Sequence, residues 1–304
     1  MYNFLLELLR FVVLKPLLLA QKKSNPNPSF EIPAKVLLTG KALQFLSKDA
    51  ATKFVARLFA TPIKFNAPER ELMMRESAKK ERVLLPSAGK ELQVYVYGFS
   101  KTRVLLVHGW AGRGTQLYHL ADKILENKMM VVSFDAPAHG LSDGKRTNMV
   151  EYIEAIRLIE KKYGPFHAAV GHSFGGMSLI NAVAGGLKVN KLVTLGADNS
   201  IPEIFSYFVK KMELKPEIAR RLKRLFEKKH NLRLDHFTSE HQADRIKIPV
   251  LVIHDSEDRF VPVSSAVAIR QKLQNGELLI THGLGHHKIF KSPVVVQRII
   301  EFLQ

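Results

Sequence analysis

Gly171-His172-Ser173-Phe174-Gly175-Gly176 is the stretch on which the fold turns. It follows the short apolar run Ala168–Val170 and opens the apolar, helix-length segment Phe174–Ala184. A serine between glycines at a strand-to-helix junction sits on a tight turn that lifts its hydroxyl clear of the backbone. Glycine is needed there because a Cβ would meet the neighbouring strand and helix. The helix N-terminus then points at the hydroxyl, and its free N–H groups and partial positive charge suit a developing oxyanion. Alone the motif is weak, since one chance match in a chain this long has a likelihood of order 10%. Its surroundings must decide.

Working outward, strand-like runs occur at Arg82–Leu85, Leu92–Tyr97, Val104–His108, Met129–Asp135, Ala168–Gly171, Lys191–Leu195, Val250–His254 and Glu277–Thr281. Several are continuously apolar, as strands buried on both faces of a parallel sheet are. Helical patterns fall between them, at about Thr115–Asn127, Asn148–Tyr163, Phe174–Ala184, Val263–Leu273 and Pro293–Leu303. Asn148 with Glu151 is a capping-box-like start. Alternation of this kind gives βαβ units, hence an α/β fold with a mostly parallel sheet. The first two strands have no helix between them and read as a hairpin through Ser87–Lys90. Between Leu195 and Pro249 the chain is too long for a single crossover. Pro202–His230 reads as two or more helices, placed over the crevice where open α/β sheets bind ligands. It is expected to form a cap.

A serine hydroxyl needs an adjacent base. His286 stands on the Gly-rich loop after the last strand, in Thr281-His282-Gly283-Leu284-Gly285-His286-His287, with His287 the nearest competitor and His282 a weaker one. The acid that fixes the imidazole tautomer should follow the preceding strand. Asp258 does, in His254-Asp255-Ser256-Glu257-Asp258-Arg259-Phe260-Val261-Pro262; Asp255 and Glu257 compete, and Asp198 is the outside choice. The chain order Ser, Asp, His is one of the known orders of this triad. An oxyanion hole needs two N–H donors. Phe174, directly after the serine, and Trp110, in the loop His108-Gly109-Trp110-Ala111-Gly112-Arg113-Gly114, are the candidates through their backbones. The Trp110 side chain could also line an acyl pocket.

With these residues in place, Arg82–Gln304 resembles the α/β-hydrolase superfamily, closest to uncharacterised bacterial members. The resemblance is carried by HGW at 108–110, FDAPAHGLS at 134–142, GHSFGG at 171–176, HDSEDRFVP at 254–262 and GLGH at 283–286. It implies an eight-stranded, mostly parallel sheet flanked by helices, with a small cap after the sixth strand. It also implies that His139 and Asp135 shape the loop after the fourth strand rather than act in catalysis. The expected division is an N-terminal helical extension over 1–80 and a hydrolase domain over 81–304, with 198–247 as the cap.

The leading expectation is hydrolysis of a carboxylic ester or thioester through an acyl-enzyme on Ser173, His286 and Asp258. No metal or cofactor is required. Amide or peptide cleavage, C–C hydrolysis and perhydrolysis are rivals on the same residues. Dehalogenase and epoxide-hydrolase chemistry wants an Asp where Ser173 stands. A non-catalytic binding module and a membrane-associated scaffold are the competing classes.

The remaining sequence bounds these choices. The 304 residues contain no cysteine, which excludes disulfides, thiolate metal sites and a Cys nucleophile. The net charge of +18 points to a basic surface, an anionic membrane or an acidic partner. No zinc-finger spacing or aromatic RNA-binding signature accompanies it, so nucleic acid is not an expected partner. Residues 1–20, MYNFLLELLRFVVLKPLLLA, are apolar but interrupted by Glu7, Arg10, Lys15 and Pro16, which makes a poor spanning helix. As a helix they put Asn3, Glu7, Arg10 and Lys15 on one side, an amphipathic pattern that fits docking on the protein body or peripheral membrane contact. Ser24–Ser29 reads as a turn, residues 41–60 as a helix ended by Thr61-Pro62, and Pro68–Lys80 as a second helical piece. The expected location is the cytoplasm, with residues 1–20 the candidate for membrane contact.

Overall fold

The computed structural model describes residues 32–304. The expected amphipathic helix over 1–20 and the turn at Ser24–Ser29 lie outside the described residues. Eight strands form one sheet: β1 (Lys79–Leu85), β2 (Lys90–Tyr97), β3 (Arg103–Val107), β4 (Met130–Phe134), β5 (Phe166–His172), β6 (Val189–Leu195), β7 (Val250–Asp255) and β8 (Gly276–Thr281). Their spatial order is β1-β2-β4-β3-β5-β6-β7-β8. All adjacent pairs are parallel except the two that β2 makes, with β1 and with β4. The β1–β2 hairpin turns through Pro86–Gly89, where Gly89 takes a left-handed φ of 58°.

The strands form because both faces of the sheet are covered. In β3, Leu105 and Val107 pack into one apolar cluster while Val104 and Leu106 pack into the other. β4 alternates in the same way, with Val132 and Phe134 on the first side and Val131 on the second. Period-2 alternation with buried, mostly apolar residues on both faces is the pattern of a sandwiched parallel strand. The helices α4 (Tyr118–Glu126), α5 (Met149–Tyr163), α6 (Phe174–Ala184), α10 (Val263–Lys272) and α12 (Pro293–Leu303) supply the covering layers, and the single turn α11 (Gly285–Lys288) precedes α12. The order reverses at β3, whose chain continues to β4 on one side and, one crossover later, to β5 on the other. A crevice opens beyond the carboxyl ends of strands at such a reversal. The loops after β3 and β5 both meet it.

Two local expectations are corrected. The helix expected over 41–60 is two helices, α1 (Ala34–Leu46) and α2 (Lys48–Phe59). Ser47 between them is extended, with φ −161° and ψ 120°, and its Oγ accepts from the Ala50 N–H at 3.3 Å. A serine N-cap outcompetes helix continuation there. The piece expected over Pro68–Lys80 is a short turn, Glu69–Glu71, then α3 (Leu72–Ser77); Lys79 already belongs to β1, opposite Val96. Inter-strand pairing overrides the local helical pattern. Asn148 caps α5 through Oδ1, which accepts from Val150 N at 2.9 Å and Glu151 N at 3.2 Å, but the Glu151 carboxylate binds Lys90 at 2.6 Å instead of closing a box.

Between β6 and β7 stand α7 (Ile201–Lys211), α8 (Glu217–His230), a turn over Leu234–Phe237 and α9 (Ser239–Ala243). The pair α1–α2 packs on this group. Leu43, Phe54 and Val55 join Met212, Leu214, Ile218 and Leu222 in the same apolar cluster. Ion pairs Lys48–Glu217 (2.7 Å) and Arg221–Asp49 (2.8 Å) decorate the seam. They are exposed and contribute less than the apolar burial. Among the described residues no helix is long and apolar enough to cross a membrane.

Buried polar groups tie down the crevice loops. The Asp135 carboxylate accepts from Gly114 N (2.6 Å), Leu141 N (2.7 Å) and the Tyr95 hydroxyl (3.1 Å), so it joins the loops after β3 and β4. His108 accepts from Ala136 N through Nε2 (3.0 Å) and donates from Nδ1 to its neighbour's carbonyl at Gly109 (2.7 Å). His139 repeats the arrangement, accepting from Ala111 N (3.1 Å) and donating to Pro137 O (3.0 Å). Glu71 reaches in from the N-terminal segment. Its buried carboxylate takes both Nε and Nη2 of Arg113 at 2.6 Å and the Thr115 hydroxyl at 2.8 Å.

Two outcomes follow from these ties. Glu71→Ala strands the Arg113 guanidinium in a buried site and should cost about 3–5 kcal/mol, read by urea unfolding; an effect below about 1 kcal/mol would mean water replaces the pair. The second concerns acid. Burial, the main cause, holds His108 down at about 4 and His139 and His172 well below the usual imidazole range. Protonation would also turn Nε2 of His108 and His139 from acceptor to donor against a backbone N–H. Their folded pKa values lie below the unfolded 6.5, so the stability they hold is full above pH 6.5 and is lost as pH falls toward 4. His108 alone accounts for on the order of 3 kcal/mol. Asp135 and Asp198, both raised by burial, oppose this, Asp198 at about 6, but they are outnumbered by the depressed histidines. Melting temperature should therefore fall steeply between pH 6.5 and 4, and a flat profile there would refute the neutral-histidine arrangement.

Candidate active site

Ser173 sits on the turn from β5 into α6 with φ 53° and ψ −122°, a strained conformation for a residue with a Cβ. The glycines around it permit the turn. A Cβ on Gly171 would lie 2.7 Å from Gly176 N, and one on Gly175 would lie 2.4 Å from the His108 carbonyl oxygen. The backbone of α6 thus touches both its own strand and the end of β3. Ser173 N donates to Leu195 O at 2.8 Å, which pins the turn to β6 as well.

His286 Nε2 lies 2.9 Å from Ser173 Oγ, and His286 Nδ1 lies 2.6 Å from Asp258 Oδ2. The three side chains form one continuous chain of hydrogen bonds across the ends of β5, β7 and β8. Asp258 Oδ1 accepts from Phe260 N (2.8 Å) and Val261 N (2.9 Å), so both its oxygens are engaged. Burial pushes the Asp258 carboxyl up, but the His286 bond and charge, aided by those amides, bring it below the usual carboxylate range.

The competitors have other partners. Asp255 binds the Thr281 hydroxyl (2.7 Å), Leu284 N (3.1 Å) and Glu257 N (3.0 Å), which joins the loop of Asp258 to the loop of His286. Glu257 pairs with His282 at 3.3 Å on the surface. His282 also meets Ser256 Oγ at 2.9 Å. His287 packs its ring against Phe260 at 5.3 Å rather than reaching the serine. Asp198 accepts from Asn199 N (2.7 Å) and Ser200 N (3.3 Å) at the entry to α7, and burial raises it to about 6.

The amides of Trp110 and Phe174 make no hydrogen bond among the described residues. The loop bearing Trp110 is close to the serine, since a Cβ on Gly109 would meet Ser173 Cβ at 3.0 Å. Ala111, at a left-handed φ of 57°, gives its N–H to His139 and thereby sets the plane of the preceding peptides. Gly112 N closes the turn on Gly109 O at 3.0 Å, and the Tyr152 hydroxyl donates to the same carbonyl at 3.3 Å.

Four positioning groups were not visible in the linear pattern. His172 gives Nε2–H to the His286 carbonyl at 2.9 Å and so steadies the loop carrying that imidazole. Tyr152 of α5 and Glu71 of the turn before α3 brace the Trp110 loop from far away in sequence. Phe59, at the end of α2, lies 5.9 Å from the Trp110 ring and 4.8 Å and 5.6 Å from Phe205 and Phe208 of α7. Only His172, next to Ser173, stood within a recognisable motif. Among the described residues no group of His, Cys, Asp and Glu could hold a metal ion.

The comparisons agree with this architecture. The family described as alpha/beta hydrolase fold matches residues 102–241, and that of TAP-like proteins matches residues 233–304. No curated protein matches the sequence. Among solved structures, Est1E from Butyrivibrio proteoclasticus with ferulic acid bound is 21% identical with a TM-score of 0.57, covering 73% of this chain and 97% of that one. A membrane phospholipase A described as a bacterial virulence factor is 17% identical with a TM-score of 0.59, over 100% of this chain and 98% of its own. The esterase RhEst1 from Rhodococcus sp. ECU1013 is 17% identical, with a TM-score of 0.54 and coverage of 75% and 98%. At such identities the likeness is one of fold. Its sheet order, its strained turn at Ser173 and these family matches together give the chain the α/β-hydrolase fold.

Proposed function

We propose that the protein is a serine hydrolase that cleaves a carboxylic ester or thioester through an acyl-enzyme. The observation that carries this is the unbroken hydrogen-bonded chain Ser173–His286–Asp258 beside two unengaged amides. Ser173 Oγ attacks the carbonyl carbon as its proton passes to His286 Nε2. Asp258 keeps Nδ1 protonated and stabilises the imidazolium. The amides of Trp110 and Phe174 receive the oxyanion. Collapse expels the alcohol or thiol, which takes the proton from His286. Water then gives its proton to His286, attacks the acyl-enzyme, and Ser173 is regenerated.

The ring cluster Phe59, Trp110, Phe205 and Phe208 supports an apolar acyl group. In this reading α7 to α9 form a cap over the crevice, and α2 contributes one wall of the pocket. The esterase and phospholipase names of the fold neighbours are consistent with ester chemistry.

Ser173→Ala should abolish turnover of nitrophenyl esters and labelling by a fluorophosphonate probe, with a melting curve close to wild type; retained turnover would remove the serine from the chemistry. Asp258→Asn should lower kcat by roughly 10³–10⁴-fold, because Asn stabilises the wrong tautomer and no imidazolium. Asp255→Asn should lower it far less, since that carboxylate touches loops and not the imidazole. The reverse ranking would move the acid to position 255.

A further inference from the structure

The first described helix is apolar on both sides. On one, α1 buries Gly40 and Leu43, with Gly40 set against Met212 and Leu214. On the other, Leu38, Phe45 and Leu46 are 66%, 91% and 65% exposed. Ala34, Leu38, Ala42 and Phe45 recur at helical spacing and make one stripe. Scattered surface hydrophobics are ordinary, but large ones stacked along one helix face mark an interaction surface.

The rim of this stripe is cationic. Lys35 and Lys41 border it on α1, Lys41 in an exposed pair with Glu213. The adjoining α2 and α8 present Lys53, Arg57, Arg220 and Arg224, all exposed and in no ion pair among the described residues. Lys53, Arg221 and Arg224 line a groove between those two helices, with Asp49 there paired to Arg221.

We propose that this face docks on an anionic lipid bilayer. Leu38, Phe45 and Leu46 enter the boundary between headgroups and acyl chains, and the surrounding Lys and Arg meet lipid phosphates. An apolar centre with a cationic rim matches the layering of that boundary. Two copies joined through the same stripe would set like charges against each other. Residues 1–23 would do so too, carrying Arg10, Lys15, Lys22 and Lys23 against a single Glu7. The net charge of +18 favours approach to an anionic surface over any neutral one. The other end of α2 carries Phe59 against Trp110, so one helix joins the docked face to the crevice.

The test is flotation of the full chain with phosphatidylcholine vesicles, with and without phosphatidylglycerol, at low and high NaCl. The expected result is binding only to the anionic vesicles, released by salt. Leu38→Ser/Phe45→Ser should weaken it at least about tenfold, the loss expected from two apolar anchors. Arg220→Gln/Arg224→Gln should weaken it and flatten its salt dependence. Both variants should keep the wild-type melting curve and turnover of a water-soluble ester, which separates this surface from the catalytic reading. The proposal is overturned if the wild type ignores anionic vesicles, or if Leu38→Ser/Phe45→Ser binds them as the wild type does. It is equally overturned if the wild type is a dimer that those substitutions dissociate while vesicle binding is unchanged.

Discussion

The structure depends on a backbone-to-backbone contact. Gly171, Gly175 and the carbonyl of His108 approach so closely that no Cβ fits between them. This contact seats α6 directly on β5 and β3. It leaves Ser173 in a left-handed conformation that an isolated peptide would rarely hold. The strain is sustained because the sheet around it is rigid and buried on both faces, with Val104, Leu105, Val107, Ala168 and Ala169 fully enclosed. The small residues of β5 make room for the helix, and the large ones of β3 and β4 fill the space on either side.

From that seat the remaining groups are placed by a second principle, which is that buried polar atoms must find partners. Asp135, His108, His139 and Glu71 hold the Trp110 loop with directional bonds and not with apolar packing. Asp255 does the same for the loops of Asp258 and His286. Loops tied this way keep a fixed geometry, which transition-state stabilisation requires. The same ties make the crevice sensitive to acid, because neutral imidazoles are structural members of it.

Much of this was legible in the linear chain. The eight strands were found from apolar runs, and their ends moved by a few residues at most. α6 and α12 match the expected spans Phe174–Ala184 and Pro293–Leu303. Ser173, Phe174, Trp110, Asp258 and His286 were each singled out by standing just after a strand. What failed was local. Ser47 interrupts a helical pattern with a cap, and Lys79 is drawn out of a helical pattern by its partner Val96. Neither outcome is encoded in periodicity, since one rests on a single side-chain bond and the other on a strand eleven or more residues away.

By itself the sequence determined the alternation of strands and helices, the strained glycine-flanked serine and the order of its partners. These follow from short-range rules: side-chain period, glycine placement and the ends of strands. Only the tertiary structure decided that Asp258 and not Asp255 meets His286, that His286 and not His287 meets Ser173, and that Phe59 lies against Trp110. Those choices rest on the direction of a side chain from a loop and on contacts between segments far apart in the chain. One residue along such a loop turns the next side chain elsewhere, so spacing alone cannot say which carboxylate meets the imidazole.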